Sequence, residues 1–169
     1  AFGRGLFANI ARAYSFLMEQ YEPGDHVFLF GFSRGAYTVK ALCSLIYMFG
    51  VIERGNGILV EYAVALFTNR SQRNKEVSKG FQETFGRDID LHFVGLFDTV
   101  SSVGWAYDPL SLPYTWENPD IKTGRHAISI DERRCFFRQN HWGSGEEHQD
   151  IKEVWFPGVH SDIGGGYPE

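Results

Sequence analysis

The sequence contains no run of about 20 apolar residues, so none of its helices is expected to cross a membrane. It has no excess of positive charge. The net charge is −5 with acidic and basic residues interspersed, and the absence of a basic stripe argues against nucleic acid as a partner. Cysteine is nearly absent. Cys43 and Cys135 cannot build a disulfide framework and lack metal-ligand spacing, and Cys43 is expected as a small buried residue of a helix. No internal repeat occurs. The weak hydrophobicity that marks disorder is missing too: 43% of the 169 residues are hydrophobic and 22% charged, enough for one domain with a full core and too few for two comfortable ones. The chain opens Ala1-Phe2-Gly3-Arg4-Gly5, without methionine or a charged-then-apolar leader, and is expected to be a piece of a longer one.

What is present is organised around Gly31-Phe32-Ser33-Arg34-Gly35, a G-x-S-x-G pattern. An apolar run precedes it and an apolar-rich helical pattern follows. This is the layout of a nucleophile elbow, in which a strand turns sharply into a helix with the serine at a strained apex. Both flanking glycines are expected to leave room where side chains would clash. The pattern alone is weak, so its context decides.

Apolar residues at helical spacing predict a helix over 6–21, stopped by Glu22-Pro23-Gly24-Asp25. Residues 27–30 form a continuous apolar run, which suits a central strand covered on both faces. Residues 36–49 read as a largely apolar helix ended by Gly50, and 59–67 as another helical face. Residues 69–79 read as a solvated helix end and loop. A second core strand is expected over 89–97, ending at Asp98, and a third over 153–156, closed by Pro157-Gly158. Residues 125–134 fit a short helix, and 143–150 a polar loop. Strands separated by helices predict an α/β fold with a mostly parallel sheet and helices on both faces.

In such sheets ligands gather beyond the carboxyl ends of the strands, where Ser33, Asp98 and His160 are all expected. A serine hydroxyl needs a base within hydrogen-bond reach and a third group to hold that base in the right tautomer. The order serine, aspartate, histidine is that of α/β-hydrolases. The Arg34 backbone N–H, at the start of a helix, is the natural first oxyanion donor. No convincing strand precedes residue 27 to supply the second, which is expected to lie outside the segment.

Each residue has a competing structural reading. Ser33 could be a structural turn residue, and Asp98 could cap a helix. Asp162 is the rival acid, although its nearness to His160 suits it to orienting its own glycine-rich loop. His92, His126, His141 and His148 read as satisfied surface or core histidines. Gly164 to Gly166 lacks the following Lys-Ser or Lys-Thr of a phosphate loop. Asp131 to Arg134 reads as a structural ion-pair or capping cluster. The aromatic and proline-rich stretch 104–119, with Trp105 and Tyr107, is either a packed loop or a substrate-lining or membrane-facing wall, because an acyl pocket needs apolar sides. Phe32 and these two aromatics are the candidate substrate-binding residues.

Four motifs, Gly-Phe-Ser-Arg-Gly-Ala-Tyr-Thr (31–38), Phe-Asp-Thr-Val (97–100), Asp-Glu-Arg-Arg (131–134) and Trp-Phe-Pro-Gly-Val-His-Ser-Asp-Ile-Gly-Gly-Gly-Tyr (155–167), occur in one order. Through them the chain resembles the uncharacterised α/β-hydrolase domain family that includes the phospholipase effectors of bacterial type VI secretion and many fungal proteins. The resemblance implies a triad of Ser33, Asp98 and His160, an ester or lipid substrate with peripheral membrane contact, and no cofactor or metal. The family's first strand, with its Asp-Gly-Thr motif, is absent here, so residues 1–169 are expected to form one partial catalytic domain. The alternative is a non-catalytic binding module on a hydrolase scaffold.

Overall fold

The computed structural model describes residues 2–69, 75–100, 104–105, 108–109, 112–134, 137, 139–143 and 145–166. In chain order the elements are α1 (Phe2–Gln20), β1 (His26–Phe32), α2 (Arg34–Phe49), β2 (Val51–Ile52), α3 (Gly57–Thr68), α4 (Lys75–Phe85), β3 (Gly86–Arg87), β4 (Asp90–Phe97), β5 (Gly104–Trp105), β6 (Asp108–Pro109), β7 (Thr123–Ser129), β8 (Asp150–Phe156) and α5 (His160–Gly164). The main sheet has the order β1-β4-β7-β8, and every pairing in it is parallel. Helices pack against a mostly parallel sheet, as the α/β reading requires.

Side chains alternate across this sheet. Val27, Val94, Leu96 and Ile128 are buried on one face, where α2 packs on β1 and β4. α1 lies on α2 and places Ile10, Tyr14, Leu17 and Met18 in the core at spacings of three and four. The Tyr14 hydroxyl donates to the Gly50 carbonyl at 2.7 Å and accepts from the Ile52 N–H at 3.1 Å. That tie joins α1 to the end of α2 and to β2. α1 carries no basic residue in its last turn, and Arg87 from β3 supplies the missing donors, bonding the Met18 and Tyr21 carbonyls at 2.9 and 3.2 Å.

Three expectations are corrected. β1 is an edge of the described sheet, and Phe28 and Phe30 are exposed on the face away from α2, so its apolar run does not mark a strand covered on both sides. Residues 123–129 are strand β7, where a helix was expected over 125–134. The buried positions Gly124, His126 and Ile128 alternate and pair with β4 and β8. Residues 75–85 form α4, which begins inside the stretch 69–79 that was read as a solvated helix end and loop. Only Ser78 and Phe81 of that helix are buried, so the core leaves little trace in its sequence.

Candidate active site

β1 ends at Phe32 and α2 begins at Arg34, leaving Ser33 alone to make the turn. Its backbone has φ 58° and ψ −124°, a conformation that costs a non-glycine residue roughly 1–3 kcal/mol. Its N–H donates to the Phe97 carbonyl at 2.9 Å, and its carbonyl accepts from the Tyr37 and Val100 N–H groups at 3.3 and 3.4 Å. These bonds stitch the elbow to the end of β4. A Cβ on Gly31 would lie 2.6 Å from the Ala36 Cα and 2.7 Å from the Gly35 carbonyl oxygen, so only glycine lets strand and helix approach this closely. Gly35 is different. A Cβ there meets nothing within 4 Å, which corrects the expectation that both flanking glycines make room.

Asp98 follows β4 directly, with φ 41°, and its N–H donates to the Ala127 carbonyl at 2.8 Å. It is buried, yet its carboxylate is well supplied with donors. Oδ1 accepts from the Ser129 N–H at 2.9 Å, and Oδ2 accepts from the Ser129 hydroxyl at 2.7 Å. Oδ2 also lies 2.6 Å from His160 Nδ1. His160, the first residue of α5, places Nε2 2.8 Å from the Ser33 hydroxyl oxygen. An imidazole with its proton on Nδ1, facing the carboxylate, leaves the Nε2 lone pair for the serine O–H.

The histidine is held on several sides. Its ring stacks on Phe32 at 4.6 Å and meets the edge of Phe137 at the same centroid distance. The Asp131 carboxylate accepts from the Gly158 N–H at 2.8 Å, and Asp162 accepts from the Val159 N–H at 2.7 Å. Asp162 thus orients its own loop, and Asp98 is the acid that reaches His160. Glu132 accepts from the His160 N–H at 3.3 Å and from the Arg134 guanidinium at 2.6 and 2.8 Å. The hydrogen bond from Arg134 is the largest cause that pulls the Glu132 carboxyl down to about 2. The Asp131 to Arg134 cluster is therefore structural in its contacts, and what it structures is the histidine loop.

A further layer lies behind Asp98. The buried His126 Nε2 accepts from the Thr99 N–H at 3.1 Å, which requires the proton on Nδ1, 2.7 Å from Glu153 Oε1. Glu153 also accepts from the Trp142 N–H at 2.8 Å and lies 3.2 Å from His141 Nδ1. Burial pushes the Glu153 carboxyl up, but the interactions with His126, Trp142 and His141 together outweigh it and the net shift is downward. Lys40, buried inside α2, donates to Asn140 Oδ1 and to the Asn140 and His141 carbonyls at 2.5, 3.1 and 2.8 Å. Burial lowers its pKa to about 7, with Glu153 pulling the other way. The Asn140 N–H donates to the Thr99 carbonyl at 2.9 Å, so both networks converge on the residue after Asp98.

Sequence reasoning missed Ser129, whereas His126 is the satisfied core histidine that was expected, with both ring nitrogens bonded. Ser129 leaves no sequence signal, because its importance arises from the register that brings β7 beside β4. Arg34 is the first residue of α2, where a backbone N–H has no intrahelical acceptor. Phe32 is partly exposed and packed on His160. Trp105 lies in β5, paired with Asp108, and Tyr107 lies outside the described residues. His148 sits with Nε2 3.1 Å from the Pro119 carbonyl, away from the cluster. A cavity of about 510 Å³ lined by Tyr47, Met48, Pro113, Tyr114 and Asp120 lies toward the other end of α2, roughly 20 Å along the helix from Ser33.

Carboxylate, imidazole and hydroxyl in one hydrogen-bonded line can move a proton from the hydroxyl to the imidazole and stabilise the resulting imidazolium. The chain is 37% identical over 148 residues to an uncharacterized protein of Saccharomyces cerevisiae, covering 82% of this chain and 22% of that relative. It thus spans about a fifth of the relative's length. The crystal structure of an uncharacterized protein from Pseudomonas aeruginosa is similar at 23% identity with a TM-score of 0.49, over 96% of this chain and 22% of that one. The family described as the catalytic domain of Tle1-like phospholipase effectors of the type VI secretion system matches residues 1–169, and the chain belongs to that family.

Proposed function

We propose that residues 1–169 belong to one catalytic domain of a serine hydrolase that cleaves carboxylic esters of lipids, phospholipids among them. The observation that carries the reading is the pair of short contacts made by His160, 2.6 Å to Asp98 and 2.8 Å to Ser33. Membership in a phospholipase effector family supports the lipid substrate.

In this mechanism Ser33 Oγ attacks the ester carbonyl carbon while His160 Nε2 takes the hydroxyl proton. Asp98 holds the imidazole by Nδ1 and stabilises it once charged. The Arg34 N–H, at the positive end of α2, donates to the oxygen that becomes negative. Collapse of the tetrahedral intermediate breaks the ester C–O bond, and His160 returns the proton to the departing alcohol. A water then attacks the acyl ester on Ser33, with His160 again as base, and releases the fatty acid. The chemistry is carried by side chains and the backbone, without a cofactor. Phe32, Trp105 and Tyr107 are assigned to the acyl wall, and a substrate held in a bilayer brings the protein into peripheral contact with the membrane.

The test is release of fatty acid from phospholipid vesicles, with both products identified by mass spectrometry. Fatty acid and lysolipid from the wild type, and neither from Ser33→Ala, is the expected result. Undiminished hydrolysis by Ser33→Ala overturns the mechanism, and no turnover of any lipid or simple ester by the intact protein favours a binding module on the same scaffold.

A further inference from the structure

At the other end of the sheet, His26 opens β1 while Asp90 and His92 lie at the start of β4. Between the pairs His26↔Asp90 and Phe28↔Phe93, β4 holds two residues where β1 holds one. This bulge re-aims the β4 side chains, so that Asp90 and His92 both meet His26 while Leu91 stays buried. Asp90 Oδ2 lies 2.9 Å from His26 Nδ1 and 3.9 Å from His92 Nδ1, and the two imidazoles stack with centroids 4.5 Å apart. One ligand atom from each residue lies within 4.8 Å of the others. A tetrahedron with bonds of about 2.0 Å has edges of about 3.3 Å, between the two measured distances.

We propose that His26, Asp90 and His92 form a site for a divalent transition-metal cation, zinc by preference, which ties the edge strand β1 to β4. Two further observations point to a cation. His92 Nδ1 is buried from solvent yet has no hydrogen-bond partner, although a buried ring nitrogen ordinarily finds one. Lys122 Nζ lies 2.8 Å from Asp90 Oδ1, an ion pair that turns the other oxygen toward the imidazoles, as an outer partner orients a metal-bound carboxylate. Two imidazoles and one carboxylate suit zinc, with a fourth position for water. The seven residues of β1 put this cluster roughly 23 Å from Ser33, so the cation acts on the strand and not on the ester chemistry.

The experiment is titration of the chelator-treated intact protein with zinc chloride by calorimetry, with thermal unfolding in parallel. One ion per chain is expected, with a rise in Tm of at least about 5 °C at a hundredfold excess over Kd. Cobalt in its place is expected to give the intense visible bands of a tetrahedral site. His92→Ala, at a half-exposed position, is expected to weaken binding at least tenfold while leaving vesicle hydrolysis intact, and His26→Ala to do the same. The proposal is overturned by no saturable uptake at millimolar zinc, by binding that survives in the His26→Ala/His92→Ala double variant, or by binding that is lost instead in His160→Ala.

Discussion

The two glycines of the elbow look equivalent in sequence, and the structure predicts that they respond oppositely to alanine. At Gly31 the new methyl carbon would lie 2.6 Å from the Ala36 Cα and 2.7 Å from both the Ala36 nitrogen and the Gly35 oxygen. Ordinary carbon contacts lie at about 3.5–4.0 Å, so β1 and α2 must separate by roughly an ångström. Overpacking costs about 1–3 kcal/mol. Here every opposing atom belongs to the backbone and none can rotate away, which puts Gly31→Ala near the top of that range, at about 3 kcal/mol. For a protein of this size that lowers Tm by about 6–12 °C. At Gly35, in the first turn of α2, the added methyl meets nothing and replaces the poorer helix former. A gain of up to about 1 kcal/mol is expected there. Thermal unfolding by circular dichroism, with urea titrations to check that m is unchanged, measures both variants. Equal losses, or a larger loss at Gly35, would refute the account of the elbow.

Three more outcomes follow from the networks behind the serine. Asp98→Asn keeps an acceptor for Ser129 but no longer fixes the His160 tautomer, and kcat is expected to fall by about 10³–10⁴ with KM little changed. His126→Phe leaves the Thr99 N–H and Glu153 without their buried partner, costing about 1–3 kcal/mol in chemical denaturation, with a drop in kcat that Ser129→Ala only partly reproduces. Lys40 titrates near 7 when folded and at 10.5 when unfolded, so above pH 7 the unfolded chain binds the extra proton and stability rises with pH. That rise runs to about pH 9.0, where the buried Cys43, whose pKa is pushed up to about 12, begins to act in the opposite sense. Urea midpoints between pH 7 and 9 should therefore climb in the wild type and stay flat in Lys40→Met.

How far the sequence revealed this arrangement depends on where each signal resides. β1, β4 and β8 announce themselves by apolar runs, and each hands its next residues to the site: Ser33, Asp98, and the loop that carries His160. The contacts among Ser33, Asp98 and His160 could be expected because these residues follow strand ends in a set order. β7 could not, because its three inward positions are Gly124, His126 and Ile128, and only the last is strongly apolar. His126 is tolerated inside because Glu153 and Thr99 satisfy both ring nitrogens, a fact of tertiary register that no local pattern encodes. The same holds for Lys40, whose partners lie 100 residues away at Asn140 and His141. Its place in an otherwise apolar helix reads as an isolated charge until the loop that receives it is seen. β1 misled for the opposite reason: Phe28 and Phe30 are as apolar as core residues, yet they are exposed on the open face of an edge strand.

The proposed mechanism requires Ser33 to be the nucleophile that His160 activates. Its most direct measurement is covalent: the intact protein is treated with a fluorophosphonate, digested, and the modified residue located by mass spectrometry. A single adduct on Ser33 is predicted, formed slowly in Asp98→Asn and not at all in His160→Ala. An adduct on another residue, or labelling of Ser33→Ala at the wild-type rate, would contradict it.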